Sequence, residues 1–513
     1  MEFIGLYPTW FEPGVGSGWI IGIIATVHVL FSHTAVGAAI FFAFLASYAH
    51  RNDRPDLLEF IRRYGLFLLV FSYVLGSITG PGIWYSTTVG SPRGISALIH
   101  NFVWMWATEW VFFVIEVIGV YMLVYLASRV DRQTHLRLSI IFGLTSYTTM
   151  LVIVGILSFM MWPGKADWFT DTGVLNGFFG ANTFAQLAMR TAFMFTMTAV
   201  VGGIVAAGFK DAQFKRDVAR KLAWLGIGSA ILGVLFFRWY MATLPETATL
   251  IMSNRMPEWF PIGVIGMLVA VAAYFIMTLL QPRALVATGA VAMTLVVLVF
   301  GLWPGEVTRE SIRKPWVAGQ YVYSNQVIGR DVPGRGIESE IPLLEEHGFL
   351  RTMVFLPEHL REVTPDNAVE AGHALALAAC SNCHSLTPTG MRPLQDYFTA
   401  DSDIDAIVDY LHAGLASGNT LYMPQIPFTD DEAFALASFI STLTLPVTDT
   451  GATVDATEPM APTALVRSGV EANAGADSAA GSDTAGEAPS VETSGQPLAA
   501  LVSSPVAPRE MNP

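Results

Sequence analysis

The whole thiol content of this 513-residue chain is two cysteines, three apart, with a histidine behind them: Cys380-Ser381-Asn382-Cys383-His384. Thiols at that spacing can add across the two vinyl groups of one porphyrin, while the next residue swings its imidazole onto the iron. Cys380, Cys383 and His384 are therefore expected to hold one covalent haem c. A redox dithiol would want a βαβ setting, which is missing, and a zinc site would want a second ligand pair, for which no further cysteine exists. A sixth iron ligand should lie downstream. Met423 is the candidate, in Leu421-Tyr422-Met423-Pro424-Gln425-Ile426-Pro427, just ahead of a capped helix from Thr429 to about Leu443. A thioether ligand raises the reduction potential relative to bis-histidine ligation. His373, His412 and Met391 compete for that role without sharing the loop context.

A second set of chemically able residues lies in apolar sequence. These are His28 and His33, Glu109 and Glu116, His100, Arg190 with Gln186 one turn before it, and Arg238. Ionisable groups are expensive in lipid, so each invites a functional reading. His28 and His33 are five residues apart, roughly 140° around a helix, and do not face one iron together. His28 is read as a haem ligand or a hydrogen-bonded core histidine, and His33 more simply as the latter. Glu109 and Glu116 are seven apart and share a helix face. Buried there, at least one should be protonated or paired with a cation, Arg190 or Arg238 being available. Proton delivery or haem contact is the alternative role, which makes the two glutamates the catalytic candidates.

The elements that must position these residues are membrane helices. Hydrophobic residues make up 53% of the chain and charged ones only 14%, against about 25% charged in soluble domains. Eight apolar runs are long enough to span: roughly 18–48, 64–87, 101–128, 138–162, 187–209, 222–242, 261–281 and 284–303. Lys and Arg crowd the loops after spans one, three and five (Arg51, Arg54, Arg62 and Arg63; Arg129, Arg132 and Arg137; Lys210, Lys215, Arg216, Arg220 and Lys221), and Arg283 follows span seven. The alternate loops hold Arg93, Lys165 and Arg255, one each. Positive residues stay cytoplasmic, so both termini are expected outside, where haem is attached to such motifs in bacteria. Glu2 and Glu12, and the lack of a positive leader, make the first run a span rather than a cleaved signal. The net charge of -14 gathers after about residue 305, and no basic patch suits nucleic acid.

Two resemblances follow. Residues 366–445 resemble small class I cytochromes c: a helix running into Cys-x-x-Cys-His, a loop bearing Met-Pro, then a last helix. Residues 15–320 resemble subunit I of cytochrome bd quinol oxidases. The resemblance rests on His28-Val29-Leu30-Phe31 through Gly37 and Phe41, on Thr79-Gly80, and on Glu109 with Phe112 and Phe113. It continues in Asn182-x-x-Ala185-Gln186 and in Arg313-Lys314-Pro315-Trp316. It implies a haem b or related haem on His28. The departures are equally specific. Thr191 stands where the family has a histidine ligand, and the family's helix-8 glutamate falls near Trp303. Met267 could match the helix-7 methionine without its arginine, and the quinol loop is reduced to about 242–259.

The expected fold class is all-α, a polytopic membrane bundle of about eight helices with N-out/C-out topology plus a small extracytoplasmic cytochrome c domain. Its organisation is a bundle over 1–304, a connector over 305–365 whose amphipathic pieces lie at the membrane surface or dock the haem domain, the cytochrome domain over 366–445 and a disordered tail over 446–513, rich in Ala, Ser, Gly and Pro. The expected function is that of a haem electron-transfer subunit of a respiratory complex in the bacterial cytoplasmic membrane. Its partners would be other membrane subunits and a cytochrome c-type carrier, with quinol a further option. A complete oxygen-reducing oxidase and a haem-poor scaffold are the competing readings.

Overall fold

The computed structural model of the chain describes residues 4–126, 129–164, 167–398, 402–416 and 423–444. The tail expected over 446–513 lies outside the described residues, as do Lys165, Leu421 and Tyr422. Among the described residues, eight helices are long and apolar enough to cross a membrane: α1 Ser17–Arg51, α2 Pro55–Gly90, α3 Pro92–Tyr125, α4 Arg132–Met161, α5 Ala181–Ala207, α6 Ala212–Ala242, α7 Trp259–Leu280 and α8 Ala287–Ser311. This is a multi-pass membrane protein. The helices start where local chemistry supplies their free N–H groups with partners. Asp131 accepts from Gln133 and Thr134 at the head of α4, and Asp211 from Gln213 and Phe214 at the head of α6. Proline opens α2 and α3, where its missing N–H costs nothing. Two π-helical stretches, Leu69–Val74 in α2 and Leu298–Leu302 in α8, interrupt the regular winding.

The bundle core is dense, with Phe42, Phe60, Tyr64, Phe142 and Phe275 fully buried. Small residues set its closest crossings. A Cβ on Gly37 of α1 would lie 2.6 Å from the Met194 carbonyl of α5, and one on Gly143 of α4 would lie 3.3 Å from the Ala39 carbonyl of α1.

Two features differ from the sequence reading, and a third decides between alternatives that it left open. First, α8 does not stop near residue 303. Pro304-Gly305 reads as a break, yet the helix continues to Ser311 beyond its π turn. Second, the all-α expectation misses a small antiparallel pair, β1 Trp316–Val317 and β2 Val322–Tyr323, in register Trp316 with Tyr323 and Val317 with Val322. Third, the connector is not an independent surface piece. Ile341, Leu344, Phe349, Leu350 and Leu360 share one buried core with the two C-terminal helices, α9 Ala368–Ala379 and α10 Asp430–Thr444, and Ile4 and Leu6 join it from the N-terminus. Apolar residues scattered over a polar stretch do not reveal which element they will meet, so the sequence left the membrane surface and the C-terminal domain both open to them.

Candidate functional site

The C-terminal site is built on the end of α9. The Cys380 and Ser381 amides both donate to the Ala376 carbonyl, at 2.9 and 3.0 Å, and those of Cys383 and His384 to the Cys380 carbonyl at 3.0 and 2.9 Å. One tight turn thus presents both thiols and the imidazole together. They face an open cleft of about 770 Å³, which Met423 also lines. Leu394, Leu411, Ile426, Leu436 and Ile440 supply apolar walls. His384 Nδ1 donates to the Arg392 carbonyl at 3.0 Å, which fixes the ring and leaves the Nε2 lone pair for a ligand. Tyr397 stands edge-on to it, centroids 5.1 Å apart. Burial pushes the His384 imidazole down to about 4, so the ring is neutral and able to ligate at neutral pH. Burial, with the neighbouring Cys383, pushes the Cys380 thiol up to about 12. Among the described residues no group of three or more His, Cys, Asp or Glu side chains could hold a bare metal ion. Two thiols, one imidazole and one thioether in an apolar cleft are a donor set that would suit a covalently attached haem.

The competing ligands lie elsewhere. The His373 ring packs on Phe439 with centroids 5.0 Å apart, His412 sits 3.4 Å from the Asp430 carboxylate, and Met391 packs under Gly16. None of the three lines the cleft.

Inside the bundle the two histidines differ in what their nitrogens do. The Thr79 hydroxyl donates to the Leu75 or Gly76 carbonyl at 3.1 or 3.2 Å, so its oxygen is left to accept from His28 Nδ1 at 3.0 Å. His28 Nε2 then carries the lone pair. Gly80 lies beside the ring, where a Cβ would meet His28 Cε1 at an ordinary contact distance of 3.5 Å. His33 is the reverse. Its Nε2 faces Arg190 Nη1, which can only donate, at 3.1 Å. That lone pair is engaged.

The glutamates do not meet a cation. Glu116 is buried and accepts from the Tyr73 hydroxyl at 2.8 Å, while Glu109 stands half-buried on the same face of α3. Arg238 is exposed, and Arg190 pairs instead with Glu306 at 3.4 Å. Sequence reasoning missed Glu306 because it ended α8 too early; the missed signal was an acidic residue immediately beyond an apolar run. From Glu306 a chain of contacts climbs α8. Glu306 binds Arg309 at 2.6 Å, Arg313 Nε donates to the Arg309 carbonyl at 3.1 Å, and Arg313 pairs with Glu310. The next residue, Lys314, donates to the backbone carbonyl of Asn382, between the two cysteines. The cleft therefore sits on the bundle, tied to the end of α8. Its other supports come from the segment before α1: the Met391 amide donates to the Pro13 carbonyl at 3.1 Å, and Thr9 lies 3.4 Å from Asn382.

The positions compared above with the oxidase pattern, the possible match Met267 included, each meet a neighbouring side chain or glycine. Thr191 bonds the Tyr147 hydroxyl at 3.1 Å, Met267 lies against Gly301, and the Trp303 ring packs edge-on to Trp259.

No family model matches the chain and no curated protein matches it. Among solved structures, bd oxidase from Geobacillus thermodenitrificans is similar, with 14% sequence identity and a TM-score of 0.49 over 64% of this chain and 92% of that one.

Proposed function

We propose that this chain is a membrane-bound electron-transfer subunit of a respiratory oxidoreductase complex, with a covalent haem c on Cys380 and Cys383, ligated by His384 and Met423. The carrying observation is convergence. Met423 is far in sequence from the Cys-x-x-Cys-His motif, yet all four side chains line one apolar cleft. A haem bound there supplies one-electron transfer. The chain orients the ligating imidazole through the Arg392 carbonyl, keeps it neutral by burial, and excludes water with aliphatic walls. In this reading His28 offers Nε2 to a second, non-covalent haem b or related haem in the bundle. Glu109 and the Tyr73-Glu116 pair are its proton-handling groups. The arginine-rich loops argue that the cleft faces the periplasm. The partners are a cytochrome c-type carrier at the cleft and further membrane subunits on the outward apolar side chains of α2 and α3, such as Tyr85 and Trp104, 73% and 79% exposed. Quinol is an alternative electron donor.

A pyridine haemochrome spectrum of the purified chain tests this. One covalent and one extractable haem are expected, with the extractable one lost in His28→Ala. Full retention of extractable haem in that variant would remove the bundle site from the proposal. A chain with only covalent haem supports the scaffold reading, and two or more extractable haems with oxygen uptake support a terminal oxidase.

A further inference from the structure

The cleft has two sides of different origin. The C-terminal domain contributes the ligating residues, the aliphatic walls and Arg392, whereas Ser324 and Asn325 line the cleft from the connector and Arg255 from the bundle. Arg255 ends a short helix, Glu246–Arg255, in the loop between α6 and α7, and Ser324 and Asn325 follow β2. Ser324 is anchored by its amide donating to the Pro315 carbonyl at 2.7 Å. Asn325 is only 3% exposed, and its Oδ1 accepts from the Val327 amide at 3.3 Å. Its Nδ2 is buried and has no hydrogen-bond partner among the described residues. Buried polar groups are almost always satisfied, so such an amide demands an acceptor. A porphyrin attached through its vinyl groups has one remaining polar edge, its two carboxylates. In a cleft walled by aliphatic side chains those carboxylates need donors and positive charge.

We infer that Asn325 and Arg255 bind the carboxylate edge of the covalent porphyrin, so that the haem is held jointly by the C-terminal domain, the connector and a loop of the membrane domain. This rests on the haem c reading above. Asn325 and Arg255 lie outside residues 366–445, the stretch that resembles a class I cytochrome. They act as positioning residues that tune the iron's potential through its carboxylates. Removing a donor or a positive charge leaves more negative charge near the iron, which favours the ferric state and lowers the midpoint potential.

The test uses the full chain in detergent, with spectroelectrochemical titration of the haem c band and a haem stain on a denaturing gel. Asn325→Leu is expected to keep the stain and lower the midpoint. Asn325→Asp keeps the shape and the bond to Val327. It is expected to lower the midpoint further, by an amount that grows with pH as the introduced carboxyl ionises. Covalent haem with an unchanged midpoint at every pH in both variants would overturn the inference. If both Asn325 variants lose the haem, Arg255→Gln decides in their place: a lowered midpoint supports the inference and an unchanged one overturns it. A wild-type chain without stain would instead overturn the haem c reading on which the inference stands.

Discussion

Side chains of one type do unlike work here according to their surroundings. The glutamates make the clearest case. Glu59 binds Arg62 at 2.7 Å and Arg63 at 2.8 Å, but its side chain is 35% exposed. Glu306 binds Arg309 at 2.6 Å and Arg190 at 3.4 Å with a side chain 8% exposed. Exposed pairs are worth about 0–1 kcal/mol, whereas removing one partner of a buried pair costs about 3–5 kcal/mol because the remaining charge is stranded. Glu306→Gln should therefore destabilise the detergent-solubilised protein by about 3 kcal/mol or more in denaturant titration, and Glu59→Gln by less than about 1. Equal losses would mean that water reaches the Arg190 cluster. The cluster also fixes His33, whose Nε2 lone pair it engages, and so leaves His28 as the histidine with a free ligating nitrogen.

Elements position these residues through a few close crossings. The tightest in the C-terminal unit lies between α9 and α10. A Cβ on Gly372 would sit 2.0 Å from the Ala435 carbonyl and 2.9 Å from Phe439 Cβ. Backbone cannot yield as a flexible side chain can, so Gly372→Ala must pry the helices apart. Because α9 runs directly into the thiol turn, the expected outcome is a sharp fall in haem-stained protein, while Gly266→Ala on α7, where nothing lies within 4 Å of the new Cβ, leaves the stain unchanged. Normal haem content in Gly372→Ala would mean that the pair tolerates a wider spacing. What was legible in the sequence divides along this line. Long apolar runs declare spans because lipid leaves the backbone no other fold, and the Thr429 cap of α10 could be read from residue type; Thr429 and Glu432 do exchange amide bonds at 3.2 and 3.3 Å. Pairings that depend on how helices are rotated could not be read, so the Tyr73-Glu116 bond and the Arg190-Glu306 pair emerge only in three dimensions. The α8 extension was hidden by a proline and glycine that normally end helices.

At the scale of the whole molecule, the two ends of the bundle's path are fastened together. The Ile4 amide donates to the Thr352 carbonyl at 2.8 Å, Ile4 forms a parallel bridge with Met353, and Ile4 and Leu6 lie in the same core as α9 and α10. The segment before α1 and the haem-motif domain after α8 must then share one side of the membrane, which requires an even number of crossings between them. Eight spans meet that condition; seven or nine do not. The compartment is a separate question, on which charge bears: the loops after α1, α3 and α5 hold most of the loop arginines and lysines, and they emerge at the opposite end from Ile4. Reporter fusions separate the two arguments. A periplasm-dependent reporter placed ahead of residue 4 and another placed after Thr444 should both be active, and one in the turn between α5 and α6, near Lys210, should be silent. Opposite outcomes at the two ends would break the shared core. The same outcome at both ends, but silent, with activity near Lys210, would leave the fold intact and turn the molecule over, putting the thiol turn in the compartment where haem is not attached.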